Sequence, residues 1–520
     1  MSITECPRCG YHIATELKKG VPALEAEVRH LEDLIPRLQE EKAILLRRIN
    51  NAQEKTRHLP FEVLSNIFHF ARPPIDFTTF KPPFYNIKRP LYKLVPSRRY
   101  DHPETDFHYT LTAVSHRWRR VALSTPHLWT SVSLRILNVF TKFNTSILDF
   151  HFRNADKHPI SIQLAFNNPA MVWEKFPSKR SEFLMNLEPL KSMIFDKHAD
   201  KVQSLILIEP PVEWSSSINR SLSHCDSVTM HWPCCNRDSI PCLDFSDLAS
   251  LQHISLIDMK SVSFSLPTTV STLRICRVDL ILNEFLLSTL VELPNLVELE
   301  FYYPKTGSIS LQGFRDNAVI EPMIFHRLEK LTWIEMHVDE NYDFLSHVRF
   351  ASLTTLEWGE REYSNPTSEE GNALRLAFFS LLPSTLSSLT FDNLWHHPLQ
   401  IVDLLRTVPQ VNKLHLARCS EEVVVAAVGT ICQCPVNTGE SASDPVECLP
   451  NLCGLSLTDT RATLDPGIFV DMLVALHDVG PLPRRFHLTT GSDVSWDMDT
   501  LHAVDYLYSI GLETTLAFVF

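Results

Sequence analysis

The N-terminal stretch CPRCGYH holds residue types that bind metal ions. Cys6 and Cys9 are separated by two residues, which is the spacing of half a zinc site, and His12 is a candidate third ligand. A closed structural zinc site needs four ligands, and no second CxxC pair follows nearby. We therefore expect residues 1–16 to form a plain terminal turn or the remnant of such a site, with zinc binding as the alternative.

Further thiols and imidazoles occur in the C-terminal half. Their spacing matches no standard zinc finger, so we expect buried or incidental thiols at Cys419, Cys432, Cys434, Cys448 and Cys453. His396 and His397 are predicted to lie at a turn. The chain has only 13 glycines, with neither a Walker-type nor a dinucleotide-binding glycine pattern, and it lacks HExxH and GxSxG. These absences disfavour an enzyme without excluding an unfamiliar active site, a hydrolase within the C-terminal part being the weaker alternative, and we expect no cofactor.

The overall charge disfavours two classes of partner. The 520 residues are 44% apolar and carry a net charge of −13, so we expect a folded protein without chain-wide attraction for nucleic acid or anionic membranes. Six basic and six aromatic residues do alternate between Phe77 and Tyr100, but proline-rich solvated loops often have this composition. No apolar run of membrane-spanning length or signal peptide is evident, which predicts a cytoplasmic or nuclear protein or both.

A heptad pattern over residues 17–57 predicts a long amphipathic helix. Leucines recur every seven residues, and a second apolar row lies four residues after each of them, with Lys42 as its one polar member. Pro36 should kink this helix or start a second one. The helix either folds back on its own chain or forms a coiled coil, and a homodimer through the heptad helix is one form of the latter.

Three short helical elements with large apolar side chains follow. HLPFEVLSNIFHFA predicts a helix with Pro60 in its first turn, and LTAVSHRWRRVAL predicts a second helix that includes Trp118. Thr125 and Pro126 then start a third element that ends at Trp129. So small a unit cannot bury all these side chains within itself, which indicates that part of the apolar surface contacts a partner.

These residues resemble the F-box, in particular that of F-box-like proteins in which a heptad helix leads directly into the motif. The resemblance is carried by L-P-x-E-x-L-x-x-I-F at 59–68, V-S-x-x-W-R at 114–119 and P-x-L-W at 126–129. It implies a small all-α module at 58–135 that binds the Skp-type adaptor of SCF-type cullin-RING ubiquitin ligases. The adaptor-binding residues would be Leu59, Pro60, Ile67, Phe68, Val114, Trp118 and Trp129. The sequence departs from the family in a proline-rich loop insertion at 72–110.

The C-terminal part, 150–520, repeats a short strand motif. A leading apolar residue and proline precede an alternating tail in LPTTVSTLRI, LPNLVELEF, LPSTLSSLTF, VPQVNKLHL and LPNLCGLSL, and an aromatic residue leads in FHRLEKLTW and FASLTTLEW. Helical material falls between them, as in NALRLAFFSLL and LQIVDLLRTV. The pattern resembles irregular leucine-rich repeats and implies an α/β solenoid with a concave parallel sheet. A non-repeating α/β domain is the alternative.

Together these expectations describe an α+β chain that acts by binding. The F-box-like module would recruit the ligase through the adaptor and its cullin, and the repeats would hold an unknown protein substrate. The alternative is a scaffolding protein outside the ligase system, which uses the heptad helix and solenoid for assembly.

Overall fold

A long parallel sheet and twelve α-helices make up the regular structure in the described part of the chain. The computed structural model describes residues 3–5, 12–14, 21–53, 55–56, 58–72, 103–136, 145–166, 180–232, 242–259, 263–276, 290, 293–302, 322–335, 348–360, 369–394, 398–432, 449–460, 464–479, 484–491 and 494–519. The chain is therefore α+β, as the sequence predicts. Cys9, His396 and most of the 72–110 insertion lie outside the described residues.

Two compact units divide these residues. The first unit contains the described residues up to Thr130 together with Arg153–His158. It begins with a two-stranded antiparallel sheet, β1 (Ile3–Glu5) and β2 (His12–Ala14). Cys6 and Cys9 fall between these strands, where the chain is not described, and only the backbone of His12 is.

The helices of the first unit follow the apolar periodicity of the sequence. They are α1 (Val21–Gln53), α2 (Phe61–Ala71), α3 (Pro103–Val114) and α4 (His116–Leu123), followed by a short 3-10 turn (Pro126–Trp129). Pro22 lies in the first turn of α1, where no backbone hydrogen bond is lost. Pro36 lies inside α1, and the helix continues beyond it. The prediction that a second helix starts at Pro36 is therefore wrong.

The structure corrects two predicted boundaries. The helix α3 begins at Pro103, so residues 103–110 are helical and do not belong to a loop; the many prolines upstream concealed this first turn. Residues Ser131–Ile136 form strand β3, so the predicted helical module ends at 130 and not at 135, and the sheet begins before residue 150. The alternation of Val132, Leu134 and Ile136 explains this strand.

The second unit is built on a 14-stranded sheet in which all neighbouring strands are parallel. In spatial order the strands follow the chain: β3, β4 (Ile160–Phe166), β5 (Val202–Ile208), β6 (Ser227–His231), β8 (His253–Ile257), β10 (Thr272–Cys276), β11 (Glu298–Tyr302), β13 (Lys330–Glu335), β15 (Thr355–Glu360), β16 (Ser388–Asp392), β17 (Lys413–Ala417), β18 (Gly454–Thr458), β19 (Arg484–Gly491) and β20 (Leu512–Val519). All seven predicted strand motifs coincide with strands of this sheet.

Short pairs and helices connect these strands. Two small parallel pairs lie beside the sheet, β7 (Cys242–Asp244) with β9 (Ser263–Ser265) and β12 (Met323–Phe325) with β14 (Val348–Phe350). The connecting helices are α5 (Ser146–Asn154), α6 (Arg180–Ser192), α7 (Ser215–Ser221), α8 (Glu369–Ser380), α9 (Pro398–Thr407), α10 (Glu421–Cys432), α11 (Gly467–Val479) and α12 (Met498–Ser509). The two predicted helical segments NALRLAFFSLL and LQIVDLLRTV correspond to α8 and α9.

The same backbone hydrogen bonds recur from strand to strand. Before β10, the N–H groups of Ser271 and Thr272 share the carbonyl of Gln252, and before β11 those of Val297 and Glu298 share the carbonyl of Ser271. This pairing continues as far as β18. At the other end of five strands the next residue adopts a positive φ of 53° to 59°, as in Glu209, Asp258, Asn393, Arg418 and Asp459. Non-glycine residues seldom adopt this conformation, so the chain turns in the same way after these strands.

One face of the sheet forms the apolar core. Phe301, Trp333, Trp358 and Phe391 are consecutive partners in the strand register, and each is fully buried. The Phe301 and Trp333 rings lie 5.1 Å apart, and Trp358 contacts Phe379 of α8 with ring centroids 5.5 Å apart. These two tryptophans therefore belong to the apolar core of the sheet.

Candidate functional site

The first candidate site is the helical module, which we define as α2, α3, α4 and the 3-10 turn. Its centre is an aromatic contact between two predicted residues that lie far apart in sequence: the rings of Phe68 and Trp118 are 4.8 Å apart. Phe68 is fully buried, and Leu64 on the preceding turn of α2 is buried with it. The residues on both sides of the insertion thus pack into one core.

The residues before α2 are held by α4. The Trp118 indole N–H donates to the Thr56 hydroxyl at 2.7 Å. The neighbouring guanidinium of Arg117 donates to the backbone carbonyl of Thr56 at 2.7 Å and also to the carbonyl of Leu59. Three hydrogen bonds, two to Thr56 and one to Leu59, therefore fix the chain just before the start of α2. A rigid start defines the direction in which the helix presents its side chains.

The 3-10 turn closes the core of the module. The Trp129 indole N–H donates to the Ala122 carbonyl at 2.8 Å, and its ring packs on His108 with 5.1 Å between ring centroids. His108 Nε2 is 2.5 Å from the Leu128 carbonyl. Burial, together with the nearby charge of Arg72, lowers the pKa of His108 from 6.5 to about 4, although the hydrogen bond to Leu128 opposes this. His108 is therefore neutral at physiological pH and donates its N–H to this carbonyl.

One face of α2 stays exposed while the other is buried. Val63, Ile67 and Phe70 follow Pro60 at intervals of three and four residues, so these four residues share one side of the helix. All four are exposed, Phe70 to 85% of its surface. We call this set the α2 stripe. Large apolar side chains that lie side by side on a helix and are exposed to water mark a surface for another protein.

The predicted adaptor-binding residues divide into two groups. Phe68 and Trp129 are buried, and Leu59, Val114 and Trp118 are half-buried, so these residues support the module. Pro60 and Ile67 lie on its surface. The exposed residues Val63 and Phe70 were not predicted from the sequence. Their spacing from Ile67 was available in the sequence, but periodicity alone does not distinguish the covered side of a helix from the exposed side.

The second candidate site is the polar face of the large sheet, opposite the aromatic core. Its central row follows the strand register through Arg274, Glu300, Thr332, Glu357, Thr390 and His415. The Arg274 guanidinium contacts the Glu300 carboxylate at 3.3 Å and lies over the Tyr302 ring at 4.9 Å. Lys330 donates to Glu300 at 3.2 Å and also to Glu298. The face thus carries side chains of both charges.

Carboxylates dominate the part of this face around Glu357. Burial and the nearby charges of Asp392 and Glu300 raise the pKa of Glu357, although it accepts a hydrogen bond from Thr332 at 3.1 Å. Asp392 is itself buried and accepts from the Arg418 guanidinium at 2.8 Å. Burial chiefly raises the pKa of Tyr302 far above its usual range, so its hydroxyl stays protonated. These groups are held in fixed positions on the polar face, where Thr332 and Asp392 are buried and Glu300 and Glu357 are partly exposed.

Cys225, Cys276 and Cys419 are buried in the core, whereas Cys453 is partly exposed. Cys225 and Cys419 are fully buried, and burial raises the pKa of each thiol to about 12, which removes the thiolate needed for metal binding or nucleophilic attack. Within the described ranges, no three histidine, cysteine or acidic side chains come together as metal ligands. Cys434 and Cys448 lie outside those ranges.

A search of the described helices found none that is both long and apolar enough to cross a membrane. No model of a known protein family matches the chain, and no curated protein matches it significantly.

Proposed function

We propose that this chain is a substrate-recognition adaptor of an SCF-type cullin-RING ubiquitin ligase. The helical module would act as an F-box and bind the Skp-type adaptor, which links it to the cullin. The large sheet would act as an irregular leucine-rich-repeat solenoid and bind the protein substrate. The chain would contribute docking surfaces and no catalytic group, and it would work in the cytoplasm or nucleus, where these ligases act.

The α2 stripe is the observation that carries the proposal. The opposite side of α2 is anchored by Leu64 and Phe68, and its start is fixed by Arg117 and Trp118. The helix is thus held rigidly while its stripe lies open. A preorganised apolar helix face loses little conformational entropy when a partner covers it, so it suits a specific protein contact.

The repeated backbone geometry of the second unit supports the solenoid. Consecutive strands in sequence are neighbours in the sheet, shared carbonyls precede them, and left-handed residues follow five of them. In a solenoid, each repeat buries its apolar residues against the repeats on either side of it, and this burial stabilises the array. The polar face then carries side chains at regular strand positions, and we propose this face as the surface for the substrate.

The test is recovery of the Skp-type adaptor with the full chain. Replacing Ile67 and Phe70 with aspartate places two charges in the proposed interface, while both positions are exposed in the free module. Apolar anchors at an interface centre each contribute about 2 kcal/mol or more, so adaptor affinity should fall at least about a hundredfold. The matched control is Met185→Asp, because Met185 is an exposed apolar residue of α6 in the second unit.

Thermal unfolding must remain unchanged in the double variant, so that lost binding cannot result from a collapsed module. If the wild-type chain recovers no adaptor, or the double variant recovers it as well as the control does, the F-box assignment is wrong. The scaffold function then becomes the better explanation, and the exposed apolar residues of α1 are the observation that favours it.

A further inference from the structure

The helix α1 presents an apolar seam to water over most of its length. Six seam residues are each between 49% and 55% exposed, namely Leu24, Val28, Ile35, Leu38, Leu45 and Ile49. Together with Leu31 and Lys42 they follow one another at intervals of four and three residues, the spacing with which two helices wind around each other. Leucines occupy the d positions of this heptad, and Val28, Ile35, Lys42 and Ile49 occupy the a positions. An apolar stripe of this length is unfavourable in water unless a partner covers it.

We propose that α1 pairs with α1 of a second copy of this chain as an antiparallel two-stranded coiled coil. This inference concerns assembly of the chain and does not rest on the proposed ligase function. The first observation that supports this proposal is that the seams of two antiparallel copies are complementary. When two copies run in opposite directions with Ile35 opposite Leu38, the same alignment places Val28 opposite Leu45 and Leu24 opposite Ile49.

The lysine within the seam favours the same direction. In a parallel pair, Lys42 would face Lys42 of the second copy and bring two positive charges together. In the antiparallel pair, Lys42 lies opposite Leu31, against which its alkyl chain can pack while the ammonium group reaches water. The antiparallel direction therefore removes a repulsion from the centre of the interface.

The charges that flank the seam agree. The parallel arrangement brings a g position next to the following e position of the other helix, which pairs Glu27 with Glu32 twice. The antiparallel arrangement brings g next to g, which pairs Glu27 with Arg48 twice. The acidic N-terminal half of α1 also faces the basic C-terminal half around Arg48. The flanking charges therefore favour a second copy of the chain as the partner of α1, and they favour the antiparallel direction.

Sedimentation of the full chain without any adaptor tests the proposal. We expect a species of twice the 59.6 kDa of one chain that dissociates on dilution. The variant Leu38→Glu places a charge in the seam, and we expect it to be monomeric. Since this change can also unfold the helix, the decisive variants alter only flanking charges, and circular dichroism checks that their helix content is preserved.

Glu27→Arg should weaken the antiparallel dimer by about tenfold in Kd, because it turns two attractions into repulsions. Arg48→Glu should do the same, and the double exchange Glu27→Arg with Arg48→Glu should restore wild-type affinity to within about threefold. Glu40→Arg is the control, since position 40 points away from the seam and should leave the Kd unchanged.

Three results would overturn the proposal. A wild-type chain that stays monomeric at the highest soluble concentration excludes the second copy as occupant. A dimer that Glu27→Arg strengthens is parallel, because the introduced arginine would then face Glu32. Failure of the double exchange to restore affinity shows that Glu27 and Arg48 do not face each other.

Discussion

Acid should loosen the helical module through His108. This side chain is almost fully buried, with 5% of its surface exposed, and it packs between Trp129 and the Leu128 carbonyl. Its pKa is about 4 in the folded module and 6.5 in an unfolded chain. As pH falls, the unfolded state therefore takes up a proton before the folded state does. The stability that is present above pH 6.5 is lost progressively as pH falls toward 4.

The size of the effect follows from the two pKa values. The full difference corresponds to about 3 kcal/mol, and about 2 kcal/mol of it is lost between pH 7 and pH 5. Amide exchange measures this loss without requiring the whole chain to unfold. Peptides from α3 and the 3-10 turn should exchange about thirtyfold faster at pH 5 than at pH 7, after correction for the intrinsic pH dependence of exchange.

The comparison that isolates His108 is the variant His108→Gln. The glutamine amide can still donate to the Leu128 carbonyl but does not titrate. The variant loses the ring contact with Trp129, so it should be less protected at pH 7 yet nearly insensitive to pH. Three other histidines of the first unit contact one another, namely His69, His127 and His158; they remain in both proteins and cancel in the comparison. Equal pH dependence in wild type and variant would refute the role of His108.

Two further substitutions test the packing described above. In the strand β15, a Cβ at Gly359 would lie 2.9 Å from the Asp392 carbonyl oxygen and 3.1 Å from the Asp392 Cβ, so Gly359→Ala should lower the free energy of unfolding by about 1–3 kcal/mol in urea. Gly429→Ala in α10 is its control. Apart from the backbone of the helix itself, no atom lies within 4 Å of a Cβ at this position, and alanine should stabilise the helix by up to about 1 kcal/mol. In the module, Arg117→Lys keeps the charge but cannot reproduce both hydrogen bonds to the Thr56 and Leu59 carbonyls, so amide exchange in α2 should accelerate about fivefold. The exposed Arg120, changed to lysine, should have no such effect.

Local signals in the sequence predicted the elements well. Pro60 precedes α2, the prolines at 267 and 383 precede β10 and β16, and the alternation after them forms the strands. Such signals depend only on a few neighbouring residues, so they can be recognised without knowledge of the fold. Because local signals carry no information about the fold, the first turn of α3 and the strand β3 were not predicted. Several prolines precede the first turn of α3, and β3 lies where the sequence still suggested the helical module.

The candidate sites depend on contacts that no local pattern contains. Glu300 and Glu357 lie on the same face because β11, β13 and β15 are neighbours in register, and the irregular distance between motifs hides that register in the sequence. The exposed side of α2 is defined by what the opposite side packs against, and Trp118 lies 50 residues after Phe68. About 30 residues separate α2 from α3, and an insertion of this length can be accommodated because loop closure entropy grows only slowly with length. The separation of the motif in sequence is therefore compatible with one packed core, and the binding that we propose for the module depends on that core and not on the length of chain between its parts.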